Sequence, residues 1–196
     1  MATLSSLLTL SLLTTISLPS PATGTFWKPP KTRPFKLGSP KLTQFQFYSH
    51  DIQTGPNPTS ITITKPQPTK TNNGSVATGF GIVNMFDDPL TYKPENGSRV
   101  LGRAQGFYGA VSEEENVLLV TVSLVFMGGR YGGSTLMVVG RNPVGEKVRE
   151  MPVIGGTGAF RFARGYVQAT SHAGNVKTRD VIVRFGIPGP MEKSQS

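Results

Sequence analysis

From Gln44 to Phe185 the apolar residues return at every second position, and no stretch repeats convincingly at the helical interval. Phe45, Phe47, Ser49 and Asp51 share one face of a first strand. Ile61 and Ile63 alternate with Ser60, Thr62 and Thr64. The same alternation runs through Val76 to Phe86, Val100 to Val111, Val117 to Met127, Ser134 to Val139, Phe160 to Thr170 and Val181 to Phe185, with turn residues between. About eight short strands with regular turns predict an all-β sandwich or closed barrel. The 23 glycines and 16 prolines fit many turns and few helices.

The N-terminal region reads differently. Leu7 to Leu18 is an apolar run of signal-peptide length, too short to span a membrane, and Ser20-Pro21-Ala22 resembles a secretory cleavage site. The first 50 residues hold no acid and many Ser and Thr, which a plastid transit peptide shares. The expected organisation is a signal peptide over 1–22, a disordered basic Pro-rich lead over 23–43, a β domain over 44–187 and a flexible tail over 188–196. The net charge of +9 sits largely in the lead, where Lys28, Lys31, Arg33, Lys36 and Lys41 face no acid. This weakens any nucleic-acid reading, and no membrane partner is expected. Asn73-Gly74-Ser75 and Asn96-Gly97-Ser98 make Asn73 and Asn96 glycosylation acceptors in a secreted chain.

Composition removes several chemistries. Cysteine is absent, so disulfides, thiolate nucleophiles and Cys-ligated zinc are excluded. His50 and His172 are the only histidines, too few for a His-rich metal site. Neither a metal nor a cofactor is expected. Gly155-Gly156-Thr157-Gly158 lacks the Gly-Lys-Ser/Thr ending of a phosphate loop. Asp87-Asp88-Pro89 places two acids on opposite strand faces and reads as a turn before Pro89. Glu113-Glu114-Glu115 reads as a solvated hairpin loop.

The segment REMPVIGGTGAFRFARGY (Arg149–Tyr166) reads as a glycine turn feeding a strand. Counted by twos, Phe160, Phe162, Arg164, Tyr166 and Gln168 share one face: an arginine among aromatics, suited to a flat phenolic ligand. Three runs of small residues stand out: Ala77, Gly79, Gly81; Gly102, Ala104, Gly106; and Ala163, Gly165. Facing inward they leave room for a cavity; facing outward they permit close subunit packing.

This segment closely resembles the signature of the dirigent family of plant proteins. So do FYSHDIQTGPNPT (Phe47–Thr59), NMFDDPLT (Asn84–Thr91), VLGRAQGFYGA (Val100–Ala110) and GGSTLMVVGRNPV (Gly132–Val144), in the family's order. The resemblance implies an eight-stranded antiparallel β-barrel of the dirigent and allene-oxide-cyclase type. It implies a secreted, apoplastic protein, typically a homotrimer, that binds phenolic small molecules and directs the stereochemistry of their coupling or cyclisation. A separate laccase or peroxidase would supply the radicals.

By spacing, Asp51 starts a turn before Gly55-Pro56. The resemblance instead implies an aspartate facing the barrel cavity, where a raised pKa suits a general acid. Arg164 either forms an ion pair with Asp51 or Asp88 or binds a phenolate. Tyr108 either packs or orients the substrate's phenol oxygen. Phe47, Phe107, Phe160, Phe162 and Tyr166 are the aromatic candidates for the pocket wall. One departure separates the chain from lignan-directing members, which commonly carry aspartate where Ala159 stands; a second pocket acid is therefore expected to be missing. The chain also resembles the branch that includes pterocarpan synthases, dehydratases that act through a quinone methide. A wall-associated or carbohydrate-binding barrel is a third reading. The tail GIPGPMEKSQS departs from the family's usual aromatic-rich final strand.

Overall fold

The computed structural model describes residues 43–66, 79–175 and 177–187. The chain divides into a unit over Met1–Pro40, outside these residues, and a unit over Lys41–Ser196. The expected leader, the lead, Ala77, Asn73 and the tail also lie outside them.

Nine strands follow in order: β1 (Phe45–Asp51), β2 (Ser60–Thr62), β3 (Val83–Thr91), β4 (Val100–Ala110), β5 (Val117–Phe126), β6 (Thr135–Pro143), β7 (Arg149–Thr157), β8 (Gly165–Gly174) and β9 (Val181–Ile187). Neighbours pair antiparallel in the order β1-β9-β8-β7-β6-β5-β4-β3, and β1 also pairs with β3 through Tyr48↔Thr91 and Ser49↔Leu90. That short seam closes an eight-stranded antiparallel barrel, and β2 lies as a three-residue addition on β3. Closure removes the exposed edges an open sheet would present.

Alternation assigns the faces. In β5, Val120, Val122, Leu124 and Phe126 are buried inside while Leu119, Thr121 and Ser123 look outward. In β4 the small run is the inner face: Ala104 is buried, and Ala104, Tyr108 and Ala110 line the interior. A Cβ built on Gly106 would stand 2.0 Å from the Thr121 carbonyl oxygen, so only glycine lets β4 lie this close to β5. The other small runs do not form such a face. Gly79 and Gly81 occupy a turn at positive φ, and Ala163 precedes β8.

The signature segment departs most from its expected form. Arg149–Thr157 is itself a strand, and Gly155 and Gly156 continue its pairing with β6 across an irregularity at Met137/Val138. Gly158–Phe160 is a 3₁₀ turn, with Gly158 at φ +59°, and β8 begins only at Gly165. The turn resets the two-residue phase, so the buried face of β8 carries Val167 and Ala169. Asp87-Asp88-Pro89 is likewise not a turn but part of β3. Asp87 N–H points to Thr59 of the β2 side, so the donor Pro89 lacks would face the gap between β2 and β1, where no ladder bond is needed.

The two ends of the barrel differ. At the end where β1 and β9 begin and finish with Phe45 and Ile187, aromatics form a floor. Phe45 packs on Phe126, Tyr131 and Phe160 with centroids 5.5, 5.0 and 5.5 Å apart, and Phe47 reaches Phe126 and Phe185. These distances suit offset and edge-to-face aromatic contact. At the other end the interior stays open.

Candidate functional site

The open end leads into a cavity of about 730 Å³, lined by residues of all eight barrel strands, with an apolar wall and several polar groups. Leu118, Val120, Val122, Met151, Ala169, Val183 and Phe185 are among the apolar wall residues; Ser49, Asp51, Asn84, Asp88, Tyr108, Asn142 and Arg149 are among the polar groups, and Arg179 and Asp180 add a further charge of each sign. An apolar pocket with few convergent polar side chains is the usual form of a small-molecule site.

Asp51 ends β1 on its inner face and is 8% exposed. The Tyr108 hydroxyl donates to Asp51 Oδ2 at 3.0 Å and accepts from Gln53 Nε2 at 2.9 Å and Asn84 Nδ2 at 3.1 Å. Burial raises the Asp51 pKa, with a smaller push from Asp180, against the hydrogen bond from Tyr108. The Tyr108 phenol is pushed up as well, first by burial and then by the charge of Asp51. Tyr108 thus orients the carboxyl and stays protonated.

Asp88 is the second acid of the cavity, 3% exposed on β3. Ser49 and Thr59 hydroxyls stand 3.1 and 2.8 Å from its two oxygens. Burial, then the neighbouring Asp51 charge, pushes its pKa up to about 8. The expectation that Ala159 leaves the pocket short of an acid is therefore overturned: Ala159 is exposed on the 3₁₀ turn, and the second acid comes from β3.

Arg149 opens β7 facing inward and is 4% exposed. Its Nε makes a long bond to the Ala169 carbonyl at 3.4 Å, and its Nη2 has no protein partner. Burial lowers its pKa. A buried guanidinium with a free donor is ready for a ligand oxygen. Asn142 Oδ1 and Asn84 Oδ1, also on the cavity wall, are unpartnered acceptors.

The other predicted site residues fall elsewhere. Arg164 is exposed just before β8 and forms no ion pair with Asp51 or Asp88. Phe162 is 62% exposed at φ +65°, and Tyr166 is half-buried on the outer face. All three shift because the 3₁₀ turn breaks the alternation from Phe160. Phe107 is 44% exposed, since β4 turns its odd-numbered residues outward. Phe47 and Phe160 belong to the aromatic floor rather than the cavity wall. Asn96 is exposed in the loop after β3. Arg149 and Asp88 escaped the sequence reading. Their signal was present: each sits on the inner parity of its strand once the strand is recognised.

The family model "Dirigent-like protein" matches residues 42–188, the whole barrel. The chain belongs to the dirigent family. Within it, the chain is 46% identical to Dirigent protein 21 of Arabidopsis thaliana over 75% of its length and 76% of that protein. It is 39% identical to Pterocarpan synthase 1 of Glycyrrhiza echinata, over 91% of its length and 93% of that protein. The solved structure of the pterocarpan synthase dirigent protein GePTS1 superposes with a TM-score of 0.70 at 40% identity, covering 83% of this chain and 96% of that one. The dirigent barrel and the family predicted from the signature blocks are thus both found.

Proposed function

We propose that the cavity binds a phenolic substrate and directs loss of a hydroxyl and ring closure through a quinone methide, a pterocarpan-synthase-like dehydration of an isoflavanol. The carrying observation is the Asp51 carboxyl, buried in an apolar cavity and held by Tyr108, with its pKa raised. A carboxyl of this kind gives a proton to the departing hydroxyl, which leaves as water. The phenol that then attacks the same carbon forms the new C–O bond and returns a proton to Asp51. The balance is one water lost and no net redox change, so neither oxidant nor cofactor is consumed. Arg149 Nη2 receives the second oxygen terminus and fixes one face of the planar intermediate. The similarity to pterocarpan synthases across most of both chains supports this reading.

A stereodirecting role in coupling two phenoxy radicals, supplied by a separate laccase or peroxidase, is the second reading. The cavity volume favours it, since about 730 Å³ accommodates more than one phenylpropanoid unit. A homotrimer accords with the outer row Ile61, Met85 and Phe107, cross-strand neighbours that are 55%, 52% and 44% exposed. Secretion, with a mature chain beginning near Thr23, accords with the N-terminal apolar run.

The deciding experiment offers the purified protein an isoflavanol alone, and coniferyl alcohol with an oxidase, and reads products by chiral chromatography. Dehydration of the isoflavanol with one enantiomer formed is expected. Asp51→Asn, with folding intact, should slow it roughly a hundredfold or more. A folded Asp51→Asn variant that turns over as fast as the wild type sinks the proposed chemistry.

A further inference from the structure

Thr59 Oγ1 stands at the junction of three groups. It lies 2.9 Å from the His50 carbonyl oxygen, 2.8 Å from Asp88 Oδ1 and 3.0 Å from the Ile52 N–H, which donates to it. A hydroxyl carries one proton and two lone pairs. The His50 carbonyl and an ionised Asp88 both only accept, and the single Thr59 proton cannot serve the two together. Both contacts carry a proton only when Asp88 brings the second one.

We propose that Asp88 is a neutral acid, protonated on Oδ1 and donating to Thr59, which ties β3 to β1 at the barrel's closing seam and leaves Asp51 as the cavity's one proton-exchanging carboxyl. Asp88 Oδ2 accepts from Ser49 on β1, so the carboxyl spans both sides of the seam. The seam itself has only two residue pairs, which makes this side-chain link a large share of it. Asp88 is a positioning residue: its proton keeps a second negative charge away from Asp51.

The surroundings agree. Asp51, Tyr108, Arg149, Arg179 and Asp180 line the same cavity as Asp88. On β4, Arg103 points outward and pairs with Asp87, and its charge lowers the Asp88 pKa only as the smallest of the influences there. His50, on β1, turns to the other side and bonds Thr91. Burial and the Asp51 charge both favour the neutral form. The sign for stability follows. A folded pKa of about 8 lies above the unfolded 3.8, so the folded state holds the extra proton between these values. Stability from Asp88 is complete below the lower value, declines as pH rises, and is gone above about 8.

Asp88→Asn tests this, because the amide copies the neutral acid: its oxygen accepts from Ser49 and its NH₂ donates to Thr59. The variant should melt with the wild type near pH 3.8 and increasingly above it as pH rises toward 8. A variant less stable than wild type already at pH 6 overturns the assignment, since a carboxylate accepting two hydroxyls is what an amide fails to replace. The wild-type full chain, carbon-13 labelled at its four aspartates, gives a readout that needs no stable variant. One side-chain carboxyl should keep its protonated chemical shift through neutral pH and survive in Asp51→Asn. Four fully ionised aspartates at pH 6, or a protonated signal that disappears with Asp51, overturns the assignment. The positioning role rests on the dehydration reading, whereas the protonation state does not. In the isoflavanol assay the alkaline limb set by Asp51 should survive in Asp88→Asn, while a second loss of rate near pH 8 should be gone, and its persistence there overturns the role. A wild type inactive on isoflavanols sinks the proposed function instead, and the carbon titration still decides the protonation.

Discussion

Asp87 and Asp88 are adjacent in β3 and live in opposite surroundings. Asp87 is outside, bonded to the Arg103 Nε at 2.7 Å, and this bond holds its carboxyl below the usual range. Asp88 is inside, between Ser49 and Thr59, with its carboxyl far above that range. Strand geometry alone separates them, because successive side chains leave the sheet on opposite faces.

Removing the two acids should therefore have unequal effects. The Arg103–Asp87 pair is half-exposed, and such pairs contribute about 0–1 kcal/mol. Asp87→Ala should lower stability by no more than that. Asp88→Ala strands the Ser49 and Thr59 hydroxyls in a buried site, at about 1–3 kcal/mol for each group left unsatisfied. Denaturant melts of both variants at pH 6 check the contrast; equal losses would mean that the faces are wrongly assigned.

The aromatic floor carries a second prediction. Phe126 is 6% exposed and touches Phe45, Phe47, Tyr131 and Phe160. Phe126→Ala should cost about 3–5 kcal/mol, the range for a buried Phe whose site refills poorly. The cavity's polar groups lie toward the other end, so product stereochemistry should persist in whatever fraction stays folded. A variant that folds normally but scrambles the product would move the ligand site to the floor.

His50 sets the acid side of the stability curve. It is 8% exposed, bonded through Nε2 to Thr91 Oγ1 at 2.8 Å, and burial lowers its pKa below 6.5. The unfolded chain then binds the extra proton, so the stability due to neutral His50 is present above pH 6.5 and lost as pH falls through the lowered value. His50→Gln, which retains a hydrogen-bonding side chain, should lose less stability than wild type as pH falls below 6.5. Parallel melting curves for the two proteins over that fall would refute this.

The barrel was legible because period-two alternation and turn residues report directly on strands. Asp51 was legible through the family resemblance, since spacing alone reads it as the start of a turn, and Tyr108 was left open between packing and orienting a phenol; the inner parity of β1 and β4 brings both to the cavity. Arg164 was misplaced by a single local event. The 3₁₀ turn at Gly158–Phe160 resets the phase, and alternation counted through it puts outer residues inside. The strand before it was hidden because its glycines read as a turn, and Arg149 was hidden with it. Asp88 was discounted because Pro89 signals a turn; only the gap between β1 and β2 makes a proline acceptable there, and that gap is a property of the closed ring.

The two arginines give the sharpest comparison. Arg149 is a buried cation with one long bond to a carbonyl and a free Nη2 aimed into the cavity, whereas Arg164 is on the surface. Burying a charge without a partner is unfavourable, and replacing such a group by an apolar one of similar bulk is often neutral or stabilising. Arg149→Leu should thus melt at or above the wild-type temperature while losing control of product configuration, because the apolar side chain offers nothing to the substrate's second oxygen. Arg149→Lys, which retains a charge but not the planar fork, should recover part of that control. Arg164→Leu should change neither stability nor stereochemistry. The measurement is enantiomeric excess alongside thermal melting for the three variants. Loss of selectivity in Arg164→Leu with none in Arg149→Leu would return the role to the sequence candidate and require the segment before β8 to turn into the barrel.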